Sequence, residues 1–220
     1  MPSGIIKSYL FDISSLDESS FEKLLKEVKE YRRNKISKLA LKESKYLSLG
    51  IELLLKKACE DFGIDYLNEE IVFSEHGKPA FKNSTLEFNS AHSGKYALLI
   101  ISDVTCGCDI ELVRDYKEKV AERFFAEGEK KYLEIAPNKE ELFYRLWTLK
   151  ESYVKCIGKG LAQPINSFEL VADDNNIIIK GLDSYQFFEF EHDGYRISFC
   201  LNIKSKEKEK YKHNTSLISL

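Results

Sequence analysis

No part of this 220-residue chain is apolar for long. The longest run, YALLII at 96–101, is strand-sized and far short of the ~20 residues that cross a bilayer. The opening MPSGIIKSYLFD has too short an apolar segment for a secretory leader and meets acidic residues at once, so a cytoplasmic protein is expected. Cysteine is scarce. Cys59, Cys106, Cys108, Cys156 and Cys200 form an odd, scattered set that suits free thiols in a reducing compartment better than a disulfide framework. CGC at 106–108 has no second pair or nearby histidine to complete a zinc site. Charge of one sign is not in excess either: a net charge of −3 argues against a general nucleic-acid binder. A glycine loop cradling phosphate ahead of a helix is also missing, because GKGL at 158–161 follows a helix.

What remains is a soluble globular composition, 43% hydrophobic and 31% charged, long enough for one large domain or two small ones. Charge is unevenly spread. Residues 29–45 carry Lys29, Arg32, Arg33, Lys35, Lys38, Lys42 and Lys45 against only Glu30 and Glu43. Such a field can concentrate one anionic ligand, although a solvated helix face is the commoner meaning of the pattern.

An opening strand (GIIKSYLFDIS) precedes a helix-rich stretch over 18–61, and Gly63 stops its second helix. EIVFSEHGKPAF reads as a strand entering a turn, and LEFNSAHSGKYALLIIS as strand, turn and buried strand. TCGCDIELV is another strand, followed by helices near 117–124, 128–135 and 139–157. Four strand-like segments, FELVA, NIIIKG, YQFFEFEH and YRISFCLNI, lead to a charged tail from about 204 to 220 that should fray. The order β-α-α-β-β-β occurs twice, and SGKYALLIIS is weakly similar to HDGYRISFCLN. The expectation is an α+β fold of two similar halves in a pseudo-twofold duplication, 1–104 and 105–220.

Two places could hold chemistry. In CGCDIELVRD, Asp109 and Glu111 share one strand face, with Ile110 and Leu112 on the other, buried face. Paired carboxylates repel unless a cation sits between them, and hard oxygen ligands suit Mg²⁺; a solvated acidic strand is the ordinary alternative. In RLWTLKESYVKCIGKGL, residues Leu146, Trp147, Leu149, Tyr153, Val154 and Ile157 cover a broad apolar arc, and Lys150 falls inside it. A lysine there must be partnered or snorkel out. Glu151 and Lys155 sit one turn apart at the edge, where Glu151 could add a third oxygen ligand and the lysines could grip a phosphate.

The ordered set GKPAF (77–81), FNSAHS (88–93), GCDIE (107–111), FFAEGE (124–129) and WTLKESYVKCIGKGL (147–161) resembles the 4′-phosphopantetheinyl transferase superfamily, in its Sfp-like, two-half type. The resemblance is strong over residues 75–170. It implies transfer of the phosphopantetheine arm of coenzyme A to a serine of an apo acyl or peptidyl carrier protein, releasing adenosine 3′,5′-bisphosphate. Asp109, Glu111 and Glu151 match the family's Mg²⁺ ligands. Lys155 and Lys150 match its catalytic lysines, and Glu129 a glutamate proposed as general base, a role otherwise given to Glu151. Lys78 and His92 match contacts to the cofactor phosphates; Lys45, then Lys38, are expected on the 3′-phosphate. Ala91 stands where the family usually has serine, which should weaken contact with the cofactor. The two-half type further implies a monomer. The rival readings are an inactive coenzyme A- or carrier-binding protein, which should lack a metal ligand, another Mg²⁺-dependent phosphotransferase, which should carry a glycine loop, and a plain structural α+β protein.

Overall fold

In the computed structural model, residues 4–173, 176–211 and 217–219 are described. The first half runs β1 (Ile6–Asp12), α1 (Glu18–Leu25), α2 (Glu30–Ser37), α3 (Lys42–Asp61), β2 (Ile71–Phe73), β3 (Pro79–Phe81), β4 (Glu87–Ser93) and β5 (Tyr96–Ser102). The second runs β6 (Cys106–Leu112), α4 (Glu118–Phe124), α5 (Glu127–Ile135), α6 (Lys139–Ile157), β7 (Leu170–Asp173), β8 (Asn176–Ile179), β9 (Tyr185–His192) and β10 (Tyr195–Asn202). Local chemistry sets the ends. The Asp17 side chain accepts from the Ser20 N–H at the start of α1, Asn138 from Glu141 N–H at the start of α6, and Gly158 closes α6 in the left-handed region at φ 70°. Within the helix-rich stretch over 18–61, the part ahead of the helix that Gly63 stops divides into two, α1 and α2, with a turn between them. Among the described residues no helix is long and apolar enough to cross a membrane.

The two main sheets share a strand order. β1, β5 and β4 lie side by side in that order, as do β6, β10 and β9, all antiparallel to their neighbours. The long helices α3 and α6 each pack on their own sheet, and each half adds a two-stranded hairpin, β2–β3 or β7–β8. Besides a core of its own, each half contributes to one shared core. Ile6, Leu10, Leu98 and Ile100 of the first pack directly with Cys108, Ile110, Ile197 and Phe199 of the second. Their β4–β5 and β9–β10 turns also meet, where Lys95 pairs with Asp193 and the Tyr96 and Tyr195 rings stand edge to face at 5.0 Å.

One expectation needs correction. The chain beyond 204 does not simply fray: Tyr211 is buried and its hydroxyl donates to Asp103 at 2.9 Å. β11 (Leu217–Ser219) then joins β1 in parallel; residues 212–216 and 220 lie outside the described part. β6 is not the solvated acidic strand of the ordinary alternative. Ile110 faces the core between the sheets while Asp109, only 5% exposed, faces α6, so the strand is covered on both sides.

Candidate functional site

The site depends on how closely α6 approaches β6. Gly107 makes that possible: a Cβ there would stand 2.1 Å from the Ser152 carbonyl oxygen and 2.3 Å from Cys156 N. Two residues on, Asp109 points from the same strand face toward α6. Lys155 Nζ donates to Asp109 Oδ1 at 2.6 Å, while Asp109 Oδ2 is buried with no hydrogen-bond partner. Burial pushes the Asp109 carboxyl up to about 7; Lys155 opposes this, while Glu111 and Glu151 add to it. Burial likewise raises Glu151, against Lys155 and with Glu111. For Lys155 burial favours the neutral amine, but Asp109, Cys108 and Glu151 together outweigh it and the net shift is upward. Glu111 is held from the other half, where Ser93 Oγ donates to its Oε2 at 2.9 Å.

Beside these groups lies a cleft of about 390 Å³, lined from the first half by Lys78, Pro79 and Ser90 and from the second by Glu151, Val154 and Lys155. Gly77, Pro79 and Ser90 also line an adjoining cleft of about 510 Å³, which reaches His92, Arg32 and Lys35. His92 is exposed, yet its imidazole is pulled below its usual pKa, first by surrounding protein and then by Lys155, with Glu111 opposing. Two joined clefts, cationic at one end and both acidic and cationic at the other, suit an elongated polyanion bound with a cation.

A model of the 4′-phosphopantetheinyl transferase superfamily matches residues 105–200. The 4′-phosphopantetheinyl transferase gsp of Aneurinibacillus migulanus is 32% identical over 195 residues, covering 85% of this chain and 81% of that protein. The chain belongs to the 4′-phosphopantetheinyl transferase superfamily. Sfp of Bacillus subtilis (strain 168) is 28% identical over 195 residues, covering 84% of this chain and 87% of its own. Among solved structures, the Thermotoga maritima holo-[acyl-carrier-protein] synthase (AcpS) is similar over 46% of this chain and 64% of its own, with 23% identity and a TM-score of 0.41.

Within this superfamily member, the residues expected to work together fall into four groups. Lys155 and Glu111 both bear on the charge of Asp109, Glu151 and His92, which brings these five residues to one place. Lys78 reaches the same cleft, but its Nζ donates to the Cys106 and Cys156 carbonyls at 3.0 and 2.9 Å, stapling the β2–β3 turn to the end of α6. Lys150 and Glu129 are placed elsewhere. Expected beside the phosphates and the serine, they form a buried pair at 2.7 Å that lines neither cleft. Burial lowers the Lys150 pKa, and Glu129 opposes the shift.

Lys45 and Lys38 line neither cleft; Arg32 and Lys35 line the second. Helical phase decides this, since within residues 29–45 Arg33 turns back to the Val28 carbonyl and Lys29 lies over the Tyr66 ring. Arg32 Nε stands 2.7 Å from Glu52 Oε2, an ion contact rather than an aligned hydrogen bond, which keeps the guanidinium facing the cleft. Ala91 also calls for correction. It is buried between the sheets, on the opposite strand face from Ser90 and His92, so its missing hydroxyl removes nothing from the cleft. Ser93, Ser90 and Gly107 were not singled out as site residues. Strand alternation in FNSAHS separates Ser90 and His92 from Ser93, but only the packing of β4 against β6 shows that Ser93 meets Glu111.

Asp109, Glu111 and Glu151 are the acidic groups that could hold Mg²⁺. Among the described residues, no three His, Cys, Asp or Glu side chains converge on one point as a finished cage. The donor set is nonetheless all carboxylate oxygen, and buried Asp109 Oδ2 lacks the partner that a buried anion requires. The residues fit a hard divalent cation.

Proposed function

We propose that this protein transfers the phosphopantetheine arm of coenzyme A to a serine of an apo acyl or peptidyl carrier protein. The serine oxygen forms the new bond to the arm's phosphorus, the pyrophosphate P–O bond breaks, and adenosine 3′,5′-bisphosphate leaves. The observation that carries this is the Asp109–Lys155–Glu151 constellation opening on a cleft built by both halves. Asp109, Glu111 and Glu151 would hold Mg²⁺, which when bound would neutralise pyrophosphate charge and polarise the phosphorus. Lys155 offers an ammonium to the phosphates and stabilises the 5′-phosphate oxygen of the leaving adenosine 3′,5′-bisphosphate as charge develops there. His92 and Lys78 edge the same path. Of the two carboxylates considered for the serine proton, Glu151 lines the cleft and Glu129 does not, which supports Glu151 as acceptor. Arg32 and Lys35 take the 3′-phosphate.

On this reading 1–104 and 105–220 are two copies of one unit, and a single chain supplies both walls, so it acts as a monomer. A cytoplasmic location is part of the proposal, supported by five buried free thiols.

The test is intact mass spectrometry of apo carrier proteins incubated with the protein, coenzyme A and Mg²⁺. Gain of one phosphopantetheine, abolished by EDTA and by Glu151→Gln, is expected. Coenzyme A binding without modification of any of several carriers would instead support the inactive binder.

A further inference from the structure

Part of the cleft wall comes from Phe124, Pro164 and Ile165. The chain just beyond Phe124 and just beyond Ile165 is tied to one buried ion pair. Glu129 and Lys150 have side chains with 0% exposure. Glu129 Oε1 accepts from Lys150 Nζ at 2.7 Å and from Leu170 N–H at 2.8 Å. Its Oε2 accepts from Lys150 Nζ at 2.7 Å and from Ala126 N–H at 2.8 Å. The third Lys150 proton goes to the Phe168 carbonyl at 2.9 Å, and the ammonium lies 4.3 Å from the Phe168 ring centroid. Every ammonium proton has an acceptor, and both carboxylate oxygens have two donors.

A carboxylate so occupied and so buried has no access to a serine hydroxyl, and an ammonium with three internal acceptors has no proton left for a phosphate. The pair does bridge three separate segments: the start of α5 behind Phe124, the middle of α6, and the start of β7 behind Ile165. Lys150 directly precedes Glu151 on α6. The pair thus fixes the wall segments relative to the helix that carries Glu151 and Lys155.

We propose that Glu129 and Lys150 are positioning residues for the transfer. They set the distance between the apolar wall of Phe124, Pro164 and Ile165, along which the uncharged pantetheine arm lies, and the charged edge of α6. This rests on the transferase reading above and assigns the pair no contact with reacting atoms.

The test uses Glu129→Gln, Lys150→Met and the double variant, with kcat on a carrier and dissociation constants for coenzyme A and adenosine 3′,5′-bisphosphate. Each single change leaves one buried charge uncompensated, whereas the double change leaves none. Each single variant is expected to lose roughly 30-fold or more in kcat and about fivefold in coenzyme A affinity. Affinity for adenosine 3′,5′-bisphosphate, which lacks the arm, should stay within about twofold. The double variant should recover both kcat and coenzyme A affinity to within about threefold of wild type. If the single variants do not fold, the double variant against wild type decides by the same threshold. A double variant down ~10²-fold or more in kcat, with wild-type affinity for coenzyme A, would overturn the proposal and return Glu129 to direct proton transfer. Wild-type protein that modifies no carrier would count against the transferase reading, and the two affinities would then decide this one.

Discussion

Gly107→Ala provides the sharpest test of the site's architecture. Gly107 lies in β6 at an ordinary extended backbone conformation, so nothing in its φ forbids alanine. By propensity the change should stabilise: a glycine loses more freedom on folding, worth about 0.5–1 kcal/mol. Packing gives the opposite sign. The new Cβ would meet the Ser152 oxygen at 2.1 Å and Cys156 N at 2.3 Å, both backbone atoms of α6 that no rotamer change can move aside. Reaching an ordinary 3.4 Å contact requires a displacement of about 1.3 Å between helix and strand. α6 buries ten side chains, so that shift disturbs the core on which it rests. Overpacking of this kind costs about 1–3 kcal/mol or more, and the entropic gain offsets only part of it. A net loss near 2 kcal/mol, or ~4–8 °C in Tm, is expected in urea and thermal melts. A shift near 1 Å at Asp109 relative to Glu151 and Lys155 should also lower the transfer rate about 10²-fold. An alanine variant as stable as wild type, with a rate within threefold, would refute the claim that α6 and β6 are held together at this point.

Arg32→Ala should weaken coenzyme A binding about tenfold or more in calorimetry, while Lys45→Ala and Lys38→Ala stay within twofold; the reverse order would restore the sequence-based choice of Lys45, then Lys38. Ser93→Ala removes the donor at 2.9 Å from Glu111 and should raise the Mg²⁺ needed for half-maximal rate ~10-fold, with direct Mn²⁺ binding weakened in parallel. Tyr211→Ala should cost about 3 kcal/mol in urea melts, since the ring is buried beneath the N-terminal sheet, whereas a frayed tail would give almost no change. Asp61 is held well below its usual pKa: burial would raise it, but Lys57, Lys7 and Tyr9 overcome that effect. Because the folded pKa is depressed, this stabilisation is present above the ordinary value near 3.8 and fades as pH falls below it. The stability gap between wild type and Asp61→Asn, about 2 kcal/mol at pH 7, should therefore narrow in melts at pH 3.

How far the sequence was legible differs from residue to residue. The helix over 139–157 could be read from its apolar period and glycine stop, as could the burial of Lys150 within its arc. The partner of Lys150 could not, because Glu129 lies 21 residues away on another helix and no local pattern joins them. The basic segment was legible as a local excess of positive charge, yet which of its side chains face the cleft depends on a turn between α1 and α2 and on helix phase. Ala91 looked like a lost ligand because a linear motif does not say which strand face points to the cleft.

The sequence by itself determined periodicity, punctuation and the types of group available: α+β elements repeated in order, acidic pairs two apart on a strand, and a carboxylate and ammonium one turn apart on a helix. These are short-range properties, fixed by backbone geometry within a few residues. Only the tertiary structure decided which groups meet. It set Asp109 against Lys155, gave Glu111 its Ser93, placed Arg32 rather than Lys45 on the cleft, and returned the chain end to the first sheet. Those contacts follow from long-range packing, from a glycine that lets a helix touch a strand and from buried charges that must find partners wherever the fold provides them.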